Sequence, residues 1–129
     1  MRILFRGKPK TDLIDWIYGC YFWSELSGKH YIMGVSKDYG YTNIEVIPET
    51  VGQYTGLTDK NGKEIFEGDI VKGKDNSEKS VKVCGYVDFM NGSYVVAGDL
   101  ITRYRWIDYD LEVIGNIHDT PELLEASDD

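Results

Sequence analysis

The chain has 129 residues, of which 42% are hydrophobic and 28% charged, and a formal net charge of −8. A chain of that size buries roughly two thirds of its unfolded surface in one core and needs no disulfide or metal staple. No apolar run approaches the ~20 residues that span a bilayer, and MRILFRGKPK lacks the apolar core of a secretion signal. Those absences point away from membranes and toward the cytoplasm. The charge is uneven. Residues 108–129 carry eight acidic side chains and no Lys or Arg, so residues 1–107 are neutral. That pattern reads as a solvated, self-repelling acidic tail.

In chain order, residues 2–6 read as a short strand near a sheet edge, ended by Gly7-Lys8-Pro9-Lys10 because proline cannot donate to a ladder. Arg2, Arg6, Lys8 and Lys10 read as solvated charge before they read as a nucleic-acid footprint. Residues 15–24, DWIYGCYFWS, are apolar and aromatic almost throughout, the pattern of a strand buried on both faces or lying between two lobes. Trp16, Tyr18, Cys20 and Phe22 share one face of it; Ile17, Tyr21 and Trp23 share the other. Ser27-Gly28 turns the chain, and residues 29–35 return as a strand with Tyr31, Met33 and Val35 on one side. Residues 36–41 read as a loop. Residues 42–47 alternate Ile44 and Val46 as another strand, and Pro48 opens a single helical turn.

The stretch 52–71, GQYTGLTDKNGKEIFEGDIV, organises the middle of the chain. Strands over 54–57 and 64–66 flank the Asp59-Lys60-Asn61-Gly62 turn, and Glu67-Gly68-Asp69 turns into a third strand at Ile70. Asn-Gly accepts the positive φ that a tight hairpin requires. Residues 72–79 read as a charged turn. Residues 80–89, SVKVCGYVDF, alternate in two halves about Gly85, which marks a bulge or bend. Asn91-Gly92 closes a hairpin onto residues 93–97, residues 98–108 are looser, and residues 111–117 form a last strand. Thr120 then caps a helix of one or two turns, with Pro121 at its first position and Leu123 and Leu124 anchoring it. Roughly eight to ten short strands at such spacing predict an all-β (mainly β) fold. We read one domain, 1–129, with N-terminal strands over 1–50 and the rest over 51–129.

The central YTGLTDKNGKEIFEGDIV, with FRGK and WIYG near the start and LEVIGNIHDTPELL near the end, resembles the YopX family. That family is a set of small proteins encoded mostly by bacteriophages and prophages. The matching motifs touch both ends and the middle of the chain. The resemblance implies an N-terminal β-meander part, a C-terminal SH3-like barrel-type part, a phage origin and a bacterial host cytoplasm. It brings no catalytic residues with it. The Gly68–Val71 entry, the Gly-x-Val-x-Phe of 85–89 and the Asn-Gly hairpin independently fit a small SH3-like barrel, which is an analogy of fold and not of function.

Motifs that carry chemistry are missing. Cys20 and Cys84 read as buried free thiols in a reducing compartment. The Asp59-x-Asn61-Gly62 cluster has the wrong spacing for a calcium loop. Cys20, Cys84, His30 and His118 lack any short paired spacing for a metal. No G-x-S-x-G, Walker loop or G-x-G-x-x-G occurs, and the pairs Asp108/Asp110 and Glu67/Asp69 read as solvated carboxylates on strand faces. Catalytic, cofactor and metal residues are therefore expected to be none.

Three functions remain. The first, which we favour, is a non-catalytic accessory protein that binds a host or phage protein, or a second copy of itself, through exposed tyrosines and sheet edges. The second is a nucleic-acid-binding small barrel. It would use Lys72, Lys74, Lys79, Lys82, Arg103 and Arg105, with Tyr86, Tyr104 and Trp106 stacking on bases. Across residues 69–106 those six bases face five acids, a net of only +1. An enzyme comes last.

Overall fold

At its tight turns the backbone takes the positive φ that glycine, and at one position asparagine, permits. Gly62 lies at +83°, Gly68 at +89°, and the Asn91-Gly92 pair at +52° and +83°. Strands fill most of the intervals. The computed structural model describes residues 3–11, 15–36, 40–75, 82–97, 101–102 and 109–128. Among them run β1 (Phe5–Gly7), β2 (Ile17–Trp23), β3 (His30–Ser36) and β4 (Gly40–Glu45), then a 3-10 turn at Pro48–Thr50. There follow β5 (Gly52–Thr58), β6 (Glu64–Phe66), β7 (Asp69–Asp75), β8 (Lys82–Met90), β9 (Ser93–Ala97), β10 (Ile101–Thr102) and β11 (Tyr109–Asn116). A 3-10 helix, Pro121–Asp128, closes the described chain. The fold is mainly β. Contacts divide it into two units, Met1–Tyr54 and Thr55–Asp129.

In the first unit the strands lie in the order β4-β3-β2-β1, and the opening of β5 pairs with the far side of β1. Every pairing is antiparallel. The first strand is therefore interior, not at an edge as its short basic sequence suggests. Beyond β1 the chain swings across to the end of β4. Pro9 bridges Val46, Lys10 N–H donates to the Glu45 carbonyl at 3.0 Å, and Ile47 N–H donates to the Lys8 carbonyl at 2.8 Å. The buried Thr50 hydroxyl pins this crossing: it donates to the Ile47 carbonyl (2.6 Å) and accepts from Lys8 N–H (2.8 Å). Among the described residues, Ile17, Ile32 and Val46 are the enclosed side chains of this unit's core, with Phe5, Tyr21, Ile44 and Val51 packed partly against them. Gly19 faces Gly34 across β2 and β3, and a Cβ on either would strike a carbonyl oxygen of the other strand.

In the second unit the end of β5 and β6 form a hairpin, and β10-β9-β8-β7-β11 form an antiparallel sheet. Ile65 from the hairpin and Val71, Val83, Val87, Tyr94, Val96 and Leu111 from the sheet make its core, with Leu57, Tyr109 and Val113 at the margin. The sheet has β10 and β11 as its outer strands and does not close into a barrel among the described residues. Asp59 joins hairpin to sheet. Its buried carboxylate accepts from Asn61 N–H (2.8 Å) and Lys63 N–H (2.9 Å) within the turn, and from Val113 N–H (3.0 Å) on β11. Lys60 N–H adds a bond to the Leu111 carbonyl at 2.9 Å. Burial would raise the Asp59 pKa, but the three donated hydrogen bonds outweigh it and hold the carboxyl below the usual range.

Several expectations need correction. Residues 72–75 are strand, because Lys72 and Lys74 stay in register with β8 and β11. Gly85 makes no bulge; it is in regular register, and a Cβ there would meet the Ala97 carbonyl oxygen. The register shift lies instead in β11 between Val113 and Gly115, and a Cβ on Gly115 would strike the Thr120 hydroxyl. Thr120 does not cap in the usual way. Its hydroxyl accepts from Asn116 N–H at 3.2 Å, before the helix rather than inside it. Asp69 is not solvated: it is 1% exposed and accepts from Phe66 N–H at 2.8 Å. The acidic C-terminal segment is no tail either, since Asp110 and Glu112 sit in β11 and Glu122 in the 3-10 helix.

Candidate interaction face

Alternation along β2, β3 and β4 gives the first unit two unlike faces. Ile17, Tyr21, Ile32 and Ile44 point to the core. Tyr18, Cys20, Phe22, Tyr31, Met33, Tyr41, Asn43 and Glu45 take the other side, because Cys20 pairs with Met33, Phe22 with Tyr31, Met33 with Asn43 and Tyr31 with Glu45. The expectation that β2 is buried on both faces fails here. Tyr18 is 45% exposed, Phe22 39%, Met33 49% and Tyr41 86%, and Cys20 is exposed as well. Phe22 and Tyr31 stack, with ring centroids 5.3 Å apart and planes 18° apart. The face is thus aromatic and ordered in part by its own cross-strand contacts.

Its only carboxylate in the described strands is Glu45, at the rim. Lys10 Nζ lies 2.9 Å from Glu45 and Lys29 Nζ 3.9 Å, and the Lys10 hydrogen bond holds the carboxyl below its ordinary pKa. At the β1 end the same side is closed. Arg6, 5% exposed, lies with its guanidinium 4.7 Å from the Trp16 ring centroid, and Lys8 Nζ approaches that ring at 5.7 Å. The opening basic residues that read as solvated charge include one buried cation and one ion-paired lysine. On the core side, Tyr21 and His30 stack and share a hydrogen bond between the phenol oxygen and Nδ1.

The second unit gathers part of the basic set. Lys72 pairs with Cys84, Lys74 with Lys82 and Ile70 with Tyr86, so Lys72, Lys74, Lys82 and Tyr86 share the outer face of β7 and β8. The same face carries acids one strand away: Glu112 is opposite Lys72 and Asp110 opposite Lys74. Glu112 also lies 3.7 Å from Lys60 Nζ. Lys79, Arg103, Tyr104, Arg105 and Trp106 fall outside the described residues. An open cleft of about 290 Å³ between the β5–β6 turn and β11 is lined by Leu57, Asp59, Ile65, Tyr109 and Leu111 among others. The Asp59 carboxylate on its wall is already occupied by three backbone donors.

Among the described residues no group of three or more His, Cys, Asp or Glu side chains is placed to hold a metal ion. Neither Cys20 nor Cys84 is in a disulfide, and neither is buried as expected: Cys20 is exposed and Cys84 half-buried. No described helix is long and apolar enough to cross a membrane. Which face of β2 meets water was hidden in the sequence, because both faces are apolar and period-two patterning sorts side chains into faces without saying which is exposed.

No curated protein matches the chain. A family model does. The YopX protein family aligns over residues 13–125, a span that takes in strands of both units, and the chain belongs to the YopX family.

Proposed function

We propose that this chain is a non-catalytic interaction module, a phage- or prophage-encoded accessory protein that works in the bacterial host cytoplasm by holding another protein. The observation that carries this reading is the aromatic side of β2–β4, with its one described carboxylate, Glu45, at the rim. Tyr18, Phe22, Met33 and Tyr41 expose large apolar surfaces there in one contiguous patch. Aromatic and Met side chains enriched on an exposed surface are the composition of interface cores. The second unit is SH3-like in this reading, supported by a hairpin that shares one apolar core with a five-stranded antiparallel sheet. The test is capture from phage-infected host cells by the immobilised chain and by Met33→Glu. Specific capture by the parent that the variant loses is the expected result. Equal capture by both, or none by either, sinks the reading.

Nucleic-acid binding is the second reading, supported by Lys72, Lys74 and Lys82 sharing a face with Tyr86. Asp110 and Glu112 beside them weaken it, because a phosphate backbone approaching the lysines also meets two carboxylates. Gel shifts with single- and double-stranded DNA and RNA at about 50 mM salt decide it, since phosphate contacts are strongest at low ionic strength. Absence of a shift there removes it.

A further inference from the structure

We propose that Asn91 is a modification site, where the chain loses ammonia without an enzyme and reroutes its own backbone. The chemistry favours an Asn-Gly pair, because glycine has no Cβ to hinder attack by its nitrogen on the asparagine side chain. The chain has two such pairs, Asn61-Gly62 and Asn91-Gly92, both exposed at turns. On sequence alone the two are equal. The fold makes them unequal.

At Asn61-Gly62 the buried Asp59 clamps the turn. Its carbonyl accepts from Gly62 N–H at 3.0 Å, and its own N–H donates to the Lys63 carbonyl at 2.7 Å. Its carboxylate accepts from Asn61 N–H at 2.8 Å and Lys63 N–H at 2.9 Å. Ring closure must swing the Gly62 nitrogen onto Asn61 Cγ, which breaks the bonds from the Gly62 and Lys63 amides. Each broken bond adds to the barrier, and two slow the step by roughly tenfold or more. Asn91-Gly92 is held more lightly. It is the two-residue tip between β8 and β9, closed by Met90 opposite Ser93. Among the described residues no hydrogen bond from outside the hairpin holds that tip. Asn91 also lies at φ +52°, a left-handed conformation that an L residue leaves at little cost.

The step balances with water as the sole co-reactant. The Gly92 nitrogen bonds to Asn91 Cγ, its proton passes through solvent to the departing amide nitrogen, and ammonia leaves behind a five-membered imide. Water then opens the ring. Cleavage between the nitrogen and Cγ gives an ordinary aspartyl residue, which tolerates positive φ much as asparagine does. Cleavage at the Asn91 carbonyl carbon gives an isoaspartyl linkage, with the main chain running through Cβ and Cγ. That extra backbone atom does not fit a two-residue turn that keeps Met90 opposite Ser93 and Phe89 opposite Tyr94. Tyr94 belongs to the second unit's core, so the isoaspartyl form loosens the β8–β9 hairpin. Either product adds one negative charge.

Peptide mapping of the intact chain, aged in warm and mildly alkaline buffer, tests this. Asn91 is expected to convert roughly tenfold or more ahead of Asn61, with isoaspartate among its products. In strong urea both turns open, and the two pairs should convert at similar rates. The aged chain should exchange amides faster across β8–β9 than the fresh chain. Fresh Asn91→Asp, which has the charge without the rerouted backbone, should exchange as the parent does. Three results overturn the inference: Asn61 keeping pace with Asn91 in the folded chain, no conversion at Asn91, or the same lead for Asn91 in urea. Unchanged exchange in a chain rich in isoaspartate would sink the claim that the hairpin loosens.

Discussion

The two units solve the problem of burying a sheet differently. Among the described residues, the first encloses Ile17, Ile32 and Val46 on one side of its strands and leaves aromatic surface on the other. The second encloses Ile65 and six residues of the sheet, locks hairpin to sheet with the Asp59 carboxylate, and carries the net negative charge. One unit has apolar surface to spare and no net charge; the other carries the whole net charge. The lesson is that exposed aromatic surface and net charge are borne by different units of one chain.

The largest test of that division is Ile32→Ala. Ile32 is fully enclosed, and its truncation should cost about 3 kcal/mol. Ile32 packs within the first unit's own core, so the loss should fall on that unit alone. Amide exchange should quicken in β2–β4 while β7–β9 stay protected; uniform loss across both units would break the comparison. Asp59→Ala is its counterpart in the second unit. It strands the amides of Asn61, Lys63 and Val113 without their acceptor, at a cost of about 3 kcal/mol measured by urea unfolding. Asp59→Asn keeps one acceptor oxygen and should cost less.

The same carboxylate sets a pH dependence. Its pKa is lowered on folding, so its contribution is complete above the unfolded-chain value of about 3.9 and is lost as pH falls through the lower folded value. Urea midpoints should therefore drop between about pH 5 and about pH 2 in the parent, with a flatter course in Asp59→Asn. An unchanged slope in the variant would assign the acid sensitivity elsewhere. The smallest effect is expected at Lys82, directly across from Lys74. Lys82→Glu turns a like-charge cross-strand pair into an opposite one and should stabilise by about 0.5 kcal/mol in a urea titration. A loss there would mean that Lys82 has a partner worth more than the repulsion it brings.

Legibility followed range. The turns at Gly62, Gly68 and Asn91-Gly92 were readable because tolerance of positive φ is a property of the residues themselves. The faces of β2 and β3 were readable because side chains alternate on any strand. The third donor to Asp59 was not, since Val113 is 54 residues away and nothing local announces it. Arg6 looked like a solvated charge among others until the fold laid it on Trp16. The acidic end looked like a tail because a run of carboxylates repels itself, and only pairing with Lys72 and Lys74 shows why Asp110 and Glu112 can sit in a strand.

The order of residues alone determined the bends, the strands between them and membership in the YopX family, because backbone preference and motif spacing act over a few residues at a time. Which side of β2 meets water, which carboxylates are buried and where the neutral surface lies were decided by the tertiary structure. Burial belongs to pairs of distant segments, and no single stretch of chain carries both members of the pair.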